Sequence, residues 1–218
     1  MSTVNPGIKL KTTKSLPPRA IYALAGVALV LAMALDTTVV HIGSQQDVRQ
    51  KTFSAEAYGA EQFPKVRENI VQRAVDAVTL SNAIANDKKA ASEKYGVAGS
   101  VGAIIPVKFT GTITDRKANY NTVQTEGLPA DVTVRVQTGP ALNGTELRDA
   151  TGTITFGQFT NQIEYQNAGS AINNEVKKNV LSRVDPDTLA GKHVSVIGVF
   201  QLINPKNWLV TPVQFEVK

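Results

Sequence analysis

Residues 156–174, FGQFTNQIEYQNAGSAINN, interleave the aromatic side chains Phe156, Phe159 and Tyr165 with the amides Gln158, Asn161, Gln162, Gln166, Asn167, Asn173 and Asn174. An amide both donates and accepts hydrogen bonds, and an aromatic face covers C–H groups. Together they suit a neutral polyol or sugar. The plainer alternative is a polar loop whose rings anchor it to a core. A second place of this kind is 204–212, NPKNWLVTP, where the only Trp, Trp208, stands beside Lys206. There the plainer alternative is a hairpin loop with the indole packed on the end of a β domain.

Other chemistry has little material. The 218 residues include no Cys, which removes disulfides, thiolate metal sites and a Cys nucleophile, and the two His are His41 and His193. Asp185 and Asp187 flank a proline, but a calcium site needs about six to eight oxygens, so a turn that stops a helix is expected. Gly96, Gly99 and Gly102 lack the strand–loop–helix context and the Lys-Ser/Thr pair of a phosphate loop. Asn143-Gly144 reads as a turn. A hydrolase of envelope polysaccharide needs two carboxylates about 5–10 Å apart. Glu146, Asp149 and Glu164 are the clustered candidates, and spacing alone does not bring them together. Neither metal nor cofactor is expected.

Charge narrows the partners. The net charge is +5. However, Lys9, Lys11, Lys14 and Arg19 supply four of the 23 basic residues before any acid appears, leaving 19 bases against 18 acids. The basicity is a property of the tail, not of a face. With aromatics at 6%, no basic stripe with stacking rings is in view, and nucleic acid is not expected as a partner.

The elements that must position these residues begin with an apolar run. AIYALAGVALVLAMAL (20–35) carries no charge, follows the basic tail and precedes Asp36. That order keeps the N-terminus in the cytoplasm and sends the rest across the membrane. Residues 1–19 are then a cytoplasmic tail, 20–42 a transmembrane anchor or signal segment, and 43–53 a polar linker. Cleavage after the Ala32-Met33-Ala34 sequence is the rival to a retained anchor.

Residues 54–102 form a helical segment. Phe63, Val66, Ile70, Ala74, Ala77 and Val78 recur at steps of three and four, Pro64 fits a first turn, and Gly96–Gly102 reads as a hinge. From 103 the period becomes two. Ile105, Val107, Phe109 and Ile113 alternate with polar residues, as do Val132, Val134 and Val136, the pair Ile154 and Phe156, the stretch 193–203, and Val213, Phe215 and Val217. Gly198 is a candidate bulge. Ala168, Ile172, Val176, Val180 and Val184 mark a helix over about 167–184. The class is α+β, mostly antiparallel, with about six strands and one inserted helix, as in a small barrel of the oligosaccharide/oligonucleotide-binding (OB) kind.

The segments RDATGTITFGQFTNQIEYQNAGSAINNEV (148–176) and GKHVSVIGVFQLINPKNWLVTPVQFEV (191–217), with LDTTVVHIGS (35–44) and YGAEQFPKV (58–66), resemble an uncharacterised bacterial family of predicted periplasmic lipoproteins. The resemblance implies an OB-like β-barrel with added helices and genes beside ribose-type sugar ABC transporters. It carries no catalytic residues. Lacking Cys, this chain cannot be acylated at a lipobox, so the apolar helix takes over as anchor.

The expectation is a non-enzymatic accessory protein, anchored in the inner membrane with its C-terminal domain in the periplasm. It would serve carbohydrate import by touching the ABC transporter permease or the substrate-binding protein. The alternatives are a sugar- or polyol-binding module and, after it, the polysaccharide hydrolase. The binding residues expected are Arg148, Asp149, Asn161, Gln162, Tyr165 and Asn173, with Lys206 and Trp208 from the second place.

Overall fold

The four longer helices of the domain each begin on a side chain that takes up one or two of the first free N–H groups. Ser54 accepts from the Ala57 N–H ahead of α2 (Ala55–Arg73), Asp76 from Val78 and Thr79 ahead of α3 (Ala77–Asn86), Asp87 from Lys89 and Ala90 ahead of α4 (Lys88–Tyr95), and Asn161 from Glu164 ahead of α6 (Gln162–Val176). A computed structural model describes residues 17–37 and 53–218. The apolar run is helical as α1 (Pro18–Asp36). The rest of the tail, the end of the expected 20–42 segment with His41, and all of the 43–53 linker but Phe53 lie outside the described residues.

The strands are β1 (Val75–Asp76), β2 (Ile104–Lys117), β3 (Tyr120–Thr125), β4 (Thr133–Gln137), β5 (His193–Gln201) and β6 (Asn207–Val217), with a single-turn helix α5 (Glu146–Asp149) after β4. β2 pairs with β5 through its first part and with β3 through its second. β3 pairs with β4, β4 runs parallel to β6, and β6 pairs with β5. The pairings therefore close a ring, β2–β3–β4–β6–β5–β2. The expected bulge is present: the β5–β6 register shifts between Ile197 and Gly198, where a Cβ would overlap the Thr211 carbonyl oxygen.

Alternation fills the interior. Ile105, Val107, Ile113, Val134, Val136, Val194, Val196 and Val210 are buried. Phe63, Val66 and Ile70 of α2 and Ile172 and Val176 of α6 join the same core.

Several expectations need correction. The apolar face 63–78 is not one helix. α2 ends at Arg73, and Val75–Asp76 add to β2 in parallel at Val107 and Lys108. Pro64 is well inside α2, not in its first turn. Pro64 has no N–H to give the Ala60 carbonyl, and Ala60 is an exposed residue, where the loss costs less than it would in the core. The stretch 96–102 is tied down rather than a hinge. Val97 and Ile104 exchange backbone hydrogen bonds of 2.9 and 2.8 Å, and Gln201 Nε2 donates to the Gly102 carbonyl at 3.3 Å.

Ile154 and Phe156 do not form a strand. Gly152 has φ of 70°, the Thr151 hydroxyl accepts from the Thr153 N–H, and Phe156–Gln158 is a 3₁₀ turn. Side-chain hydrogen bonds here replace a ladder. Instead Tyr120–Thr125 is a strand, and the last strand starts at Asn207, six residues earlier than Val213. The inserted helix starts at Gln162 and runs on as a π-helical stretch, Lys177–Leu181, which buries Leu181.

Candidate functional site: a clamped helix and its exposed face

The residues singled out in 148–165 do converge, on the single turn of α5 and the first turns of α6. Arg148 donates from Nε to Asp149 Oδ1 at 2.6 Å and from Nη2 to Asp149 Oδ2 at 3.0 Å. Its Nη1 donates to the Tyr165 carbonyl at 3.0 Å, and its guanidinium lies 3.5 Å from the Tyr165 ring centroid. Asp149 also accepts from the Thr145 hydroxyl at 2.8 Å and the Tyr165 phenol at 3.4 Å. Both carboxylate oxygens are thus used twice, close to their full acceptor capacity. Burial, and then the Asp149 carboxylate, push the Tyr165 phenol up from its ordinary value, so it stays neutral. This is a saturated clamp. Arg148 is buried and binds α6 to the 145–150 turn.

The other residues have separate places. Asn161 is the N-cap of α6, and Glu164 reaches back to the Thr160 N–H at 2.9 Å, a reciprocal cap. Asn173 is buried and donates to the Gly144 carbonyl at 2.9 Å. Gln162 is exposed at the start of the helix. Lys206 pairs with Asp131 at 2.7 Å, away from the clamp in sequence and contacts. Trp208 is fully buried, stacks on Phe200 with centroids 4.7 Å apart, and donates from Nε1 to the Pro205 carbonyl at 2.8 Å. The structure therefore brings together Arg148, Asp149 and Tyr165, sets Asn161, Gln162 and Asn173 along the same helix, and leaves Lys206 and Trp208 elsewhere.

Sequence reasoning missed Phe53 and Tyr58, the rings that complete this region. Phe53, Tyr58 and Phe159 pack mutually at 5.4–5.6 Å, and Phe159 and Phe156 each meet Tyr165. Only the aromatic density of 156–165 hinted at it, because Phe53 and Tyr58 arrive from α2 and the residues before it.

The outward face of α6 is what this frame presents. Ile163 is 70% exposed and Phe156 50% exposed. Beside them Gln162, Gln166, Asn167, Ser170 and Asn174 are exposed. Within 156–174 the one charged residue is Glu164, which is spent on the cap. A groove of about 570 Å³ runs along this face between the start of α2 and α6, lined by Glu56, Asn167, Ser170, Asn174 and Lys178 among others. Lys178 closes its far end with Glu175 at 3.0 Å and Glu56 at 3.4 Å.

A closed five-strand ring with a helix between β4 and β5, following a helix long and apolar enough to cross a membrane, defines an OB-like α+β domain behind an N-terminal apolar segment. A crystal structure of an OB-fold protein from Thermotoga maritima is similar to it, with a TM-score of 0.62 and 20% identity, over 77% of this chain and all of the other. The chain belongs to the family described as predicted periplasmic lipoprotein (DUF2291), matched over residues 25–216. No curated protein matches it.

Proposed function

We propose that this protein is a non-enzymatic accessory factor of a carbohydrate ABC importer, held in the inner membrane by a single pass of α1 with the OB-like domain in the periplasm. It acts by docking the importer's permease or substrate-binding protein on the outward face of α6. The observation that carries this reading is that face itself, with Ile163 and Phe156 exposed at one end of an uncharged amide stripe. Interface cores favour exposed apolar and aromatic groups with few charges. The clamp supports the same reading, because it fixes the face before any partner arrives and lowers the ordering cost of docking. The family's periplasmic description and the apolar α1 support the location. With no Cys to acylate, a spanning helix supplies firmer attachment than a single acyl chain.

The test is co-purification. With a tag after Lys218, native membranes solubilised in mild detergent should yield permease or substrate-binding subunits with the bait. The double variant Phe156→Ser/Ile163→Ser should lose them and slow sugar uptake while the domain stays folded, its stability lowered only by the lost Phe156–Tyr165 ring contact, about 0.5–1.5 kcal/mol. A wild-type bait that comes alone, or a double variant that still retains its partners, would overturn the reading.

A further inference from the structure

A different recess lies on the outer wall of the ring, where β4 and β6 run parallel. Arg135 pairs in register with Leu209 there. The neighbours of Arg135, Val134 and Val136, fill the core, so Arg135 points the other way. The turn between β5 and β6 and the first residue of α5 complete a recess of about 280 Å³, lined by Arg135, Glu146, Gln201, Asn204, Asn207 and Leu209 among others.

Its polar groups are incompletely used. Arg135 Nη2 donates to Asn207 Oδ1 at 2.7 Å, and the guanidinium lies 4.8 Å from the Tyr120 ring centroid. Its Nε is buried with no hydrogen-bond partner among the described residues. That atom has no surface for a ligand to touch, so what Arg135 can offer the recess is its terminal guanidinium nitrogens. Glu146 is pushed up from the ordinary carboxylate range by burial, against a smaller downward pull from its own backbone N–H and with a still smaller upward push from Asp149. Gln201 spends Nε2 on Gly102, and Asn204 spends Oδ1 on the Lys206 N–H. Donors therefore remain at Arg135 Nη1, Asn204 Nδ2 and Asn207 Nδ2, and acceptors at Gln201 Oε1 and Glu146.

We propose that this recess binds one uncharged polyhydroxylated molecule of monosaccharide size, a sugar or sugar alcohol, held by Arg135, Glu146 and the free amide edges of Gln201, Asn204 and Asn207. A hydroxyl donates and accepts at once, so a run of hydroxyls matches a wall of alternating donors and acceptors. Leu209, 38% exposed, offers an apolar patch to the C–H groups. Anions fit poorly. A carboxylate or phosphate prefers two parallel guanidinium donors, one of which Asn207 already holds, and Glu146 repels it. Cations meet Arg135. The volume is just under the usual small-molecule range of roughly 300–1,000 Å³, which limits the ligand to about one ring. The inference is independent of the docking face, which uses other residues and another readout.

The test uses the full chain in a detergent without a sugar headgroup, melted in the presence of D-ribose, D-glucose, D-galactose, myo-inositol or D-mannitol, each at about 10 mM, with glycine and inorganic phosphate alongside. Binding to the native state alone raises the melting temperature. At least one polyol should raise it saturably. Arg135→Lys, which keeps the charge and removes the planar fork of donors, and Glu146→Gln, which keeps the shape and removes a buried charge, should each weaken the effect at least tenfold, while the exposed α2 variant Lys65→Ala leaves it unchanged. Glu146→Gln should fold in any event, so failure of the lysine variant to fold leaves the second comparison standing. No shift with any polyol, a shift only with glycine or phosphate, or a shift that survives in the folded variants would each overturn the proposal.

Discussion

Arg148 grips the carboxylate of its own chain neighbour, Asp149, with two donors at 2.6 and 3.0 Å. Adjacent residues rarely face each other on a helix. Here α5 is a single turn, and the pair closes sideways onto α6 through the Tyr165 carbonyl and ring. Because Arg148 is buried and Asp149 three-quarters so, removing one partner strands the other. Arg148→Ala should destabilise the domain by about 3 kcal/mol, in line with broken buried pairs, and Asp149→Ala by a similar amount. A urea-denaturation double-mutant cycle checks this. Additive losses would show that the two do not act as a pair.

The approach of α2 to α6 depends on Gly59. A Cβ there would sit 2.8–2.9 Å from the backbone and Cβ of Ala171, closer than packed helices allow. Gly59→Ala should therefore cost about 1–3 kcal/mol as an overpacked contact, against the small gain in helix propensity that Ala otherwise brings. Equilibrium unfolding of the variant measures it, and a stabilised protein would contradict the crossing described.

Two carboxylates give opposite pH signatures. Burial raises Glu146, so the folded state holds its proton more tightly than the unfolded chain does. Its effect is neutral below the unfolded value and costs stability as pH rises from there through the folded value. Glu146→Gln should therefore raise the melting temperature at pH 7, with the gain fading below about pH 4. Glu126 is lowered, first by its hydrogen bond with His193 at 2.7 Å and then by that from the Thr110 hydroxyl at 2.9 Å. Its stabilising share is present above the unfolded value and lost as pH falls through the folded one. His193→Ala should move the Glu126 titration upward, a change that carboxyl NMR reads directly.

Much of this fold is legible from alternation, because β2, β4 and β5 place apolar residues on one side and polar residues on the other. Tyr120–Thr125 escapes notice for a physical reason. Its inward positions are Asn121, Val123 and Thr125, all buried but only one apolar. Ile154–Phe156 misleads in the opposite way, since it alternates yet sits where Gly152 and threonine hydroxyls bend the chain. The clamp is partly legible, because Arg148, Asp149 and Tyr165 belong to neighbouring helical turns. Its saturation is not, because the Tyr165 phenol and carbonyl arrive from α6, and nothing in the sequence says that the Thr145 hydroxyl four residues back turns onto Asp149. The recess at Arg135 leaves no local trace at all. Its partner Asn207 is 72 residues away and meets it only through the parallel pairing of β4 with β6.

The anchor is testable apart from any partner. α1 exposes Leu24, Leu29, Val30, Leu31, Met33 and Leu35 along its length and buries none of its residues. Its 19 residues span about 28 Å at roughly 1.5 Å per residue, close to a hydrocarbon core of roughly 30 Å. Retained, α1 should hold the protein in the membrane pellet through alkaline carbonate washing, and the most N-terminal peptide should start ahead of Pro18. Lysine at both Val27 and Leu31 adds about 2.5–3.5 kcal/mol of insertion cost per charge near the middle of a helix and should release or mislocalise the chain. A soluble wild-type protein starting at Leu35 would instead show cleavage after Ala34, and the docking face would then have to work without a tether.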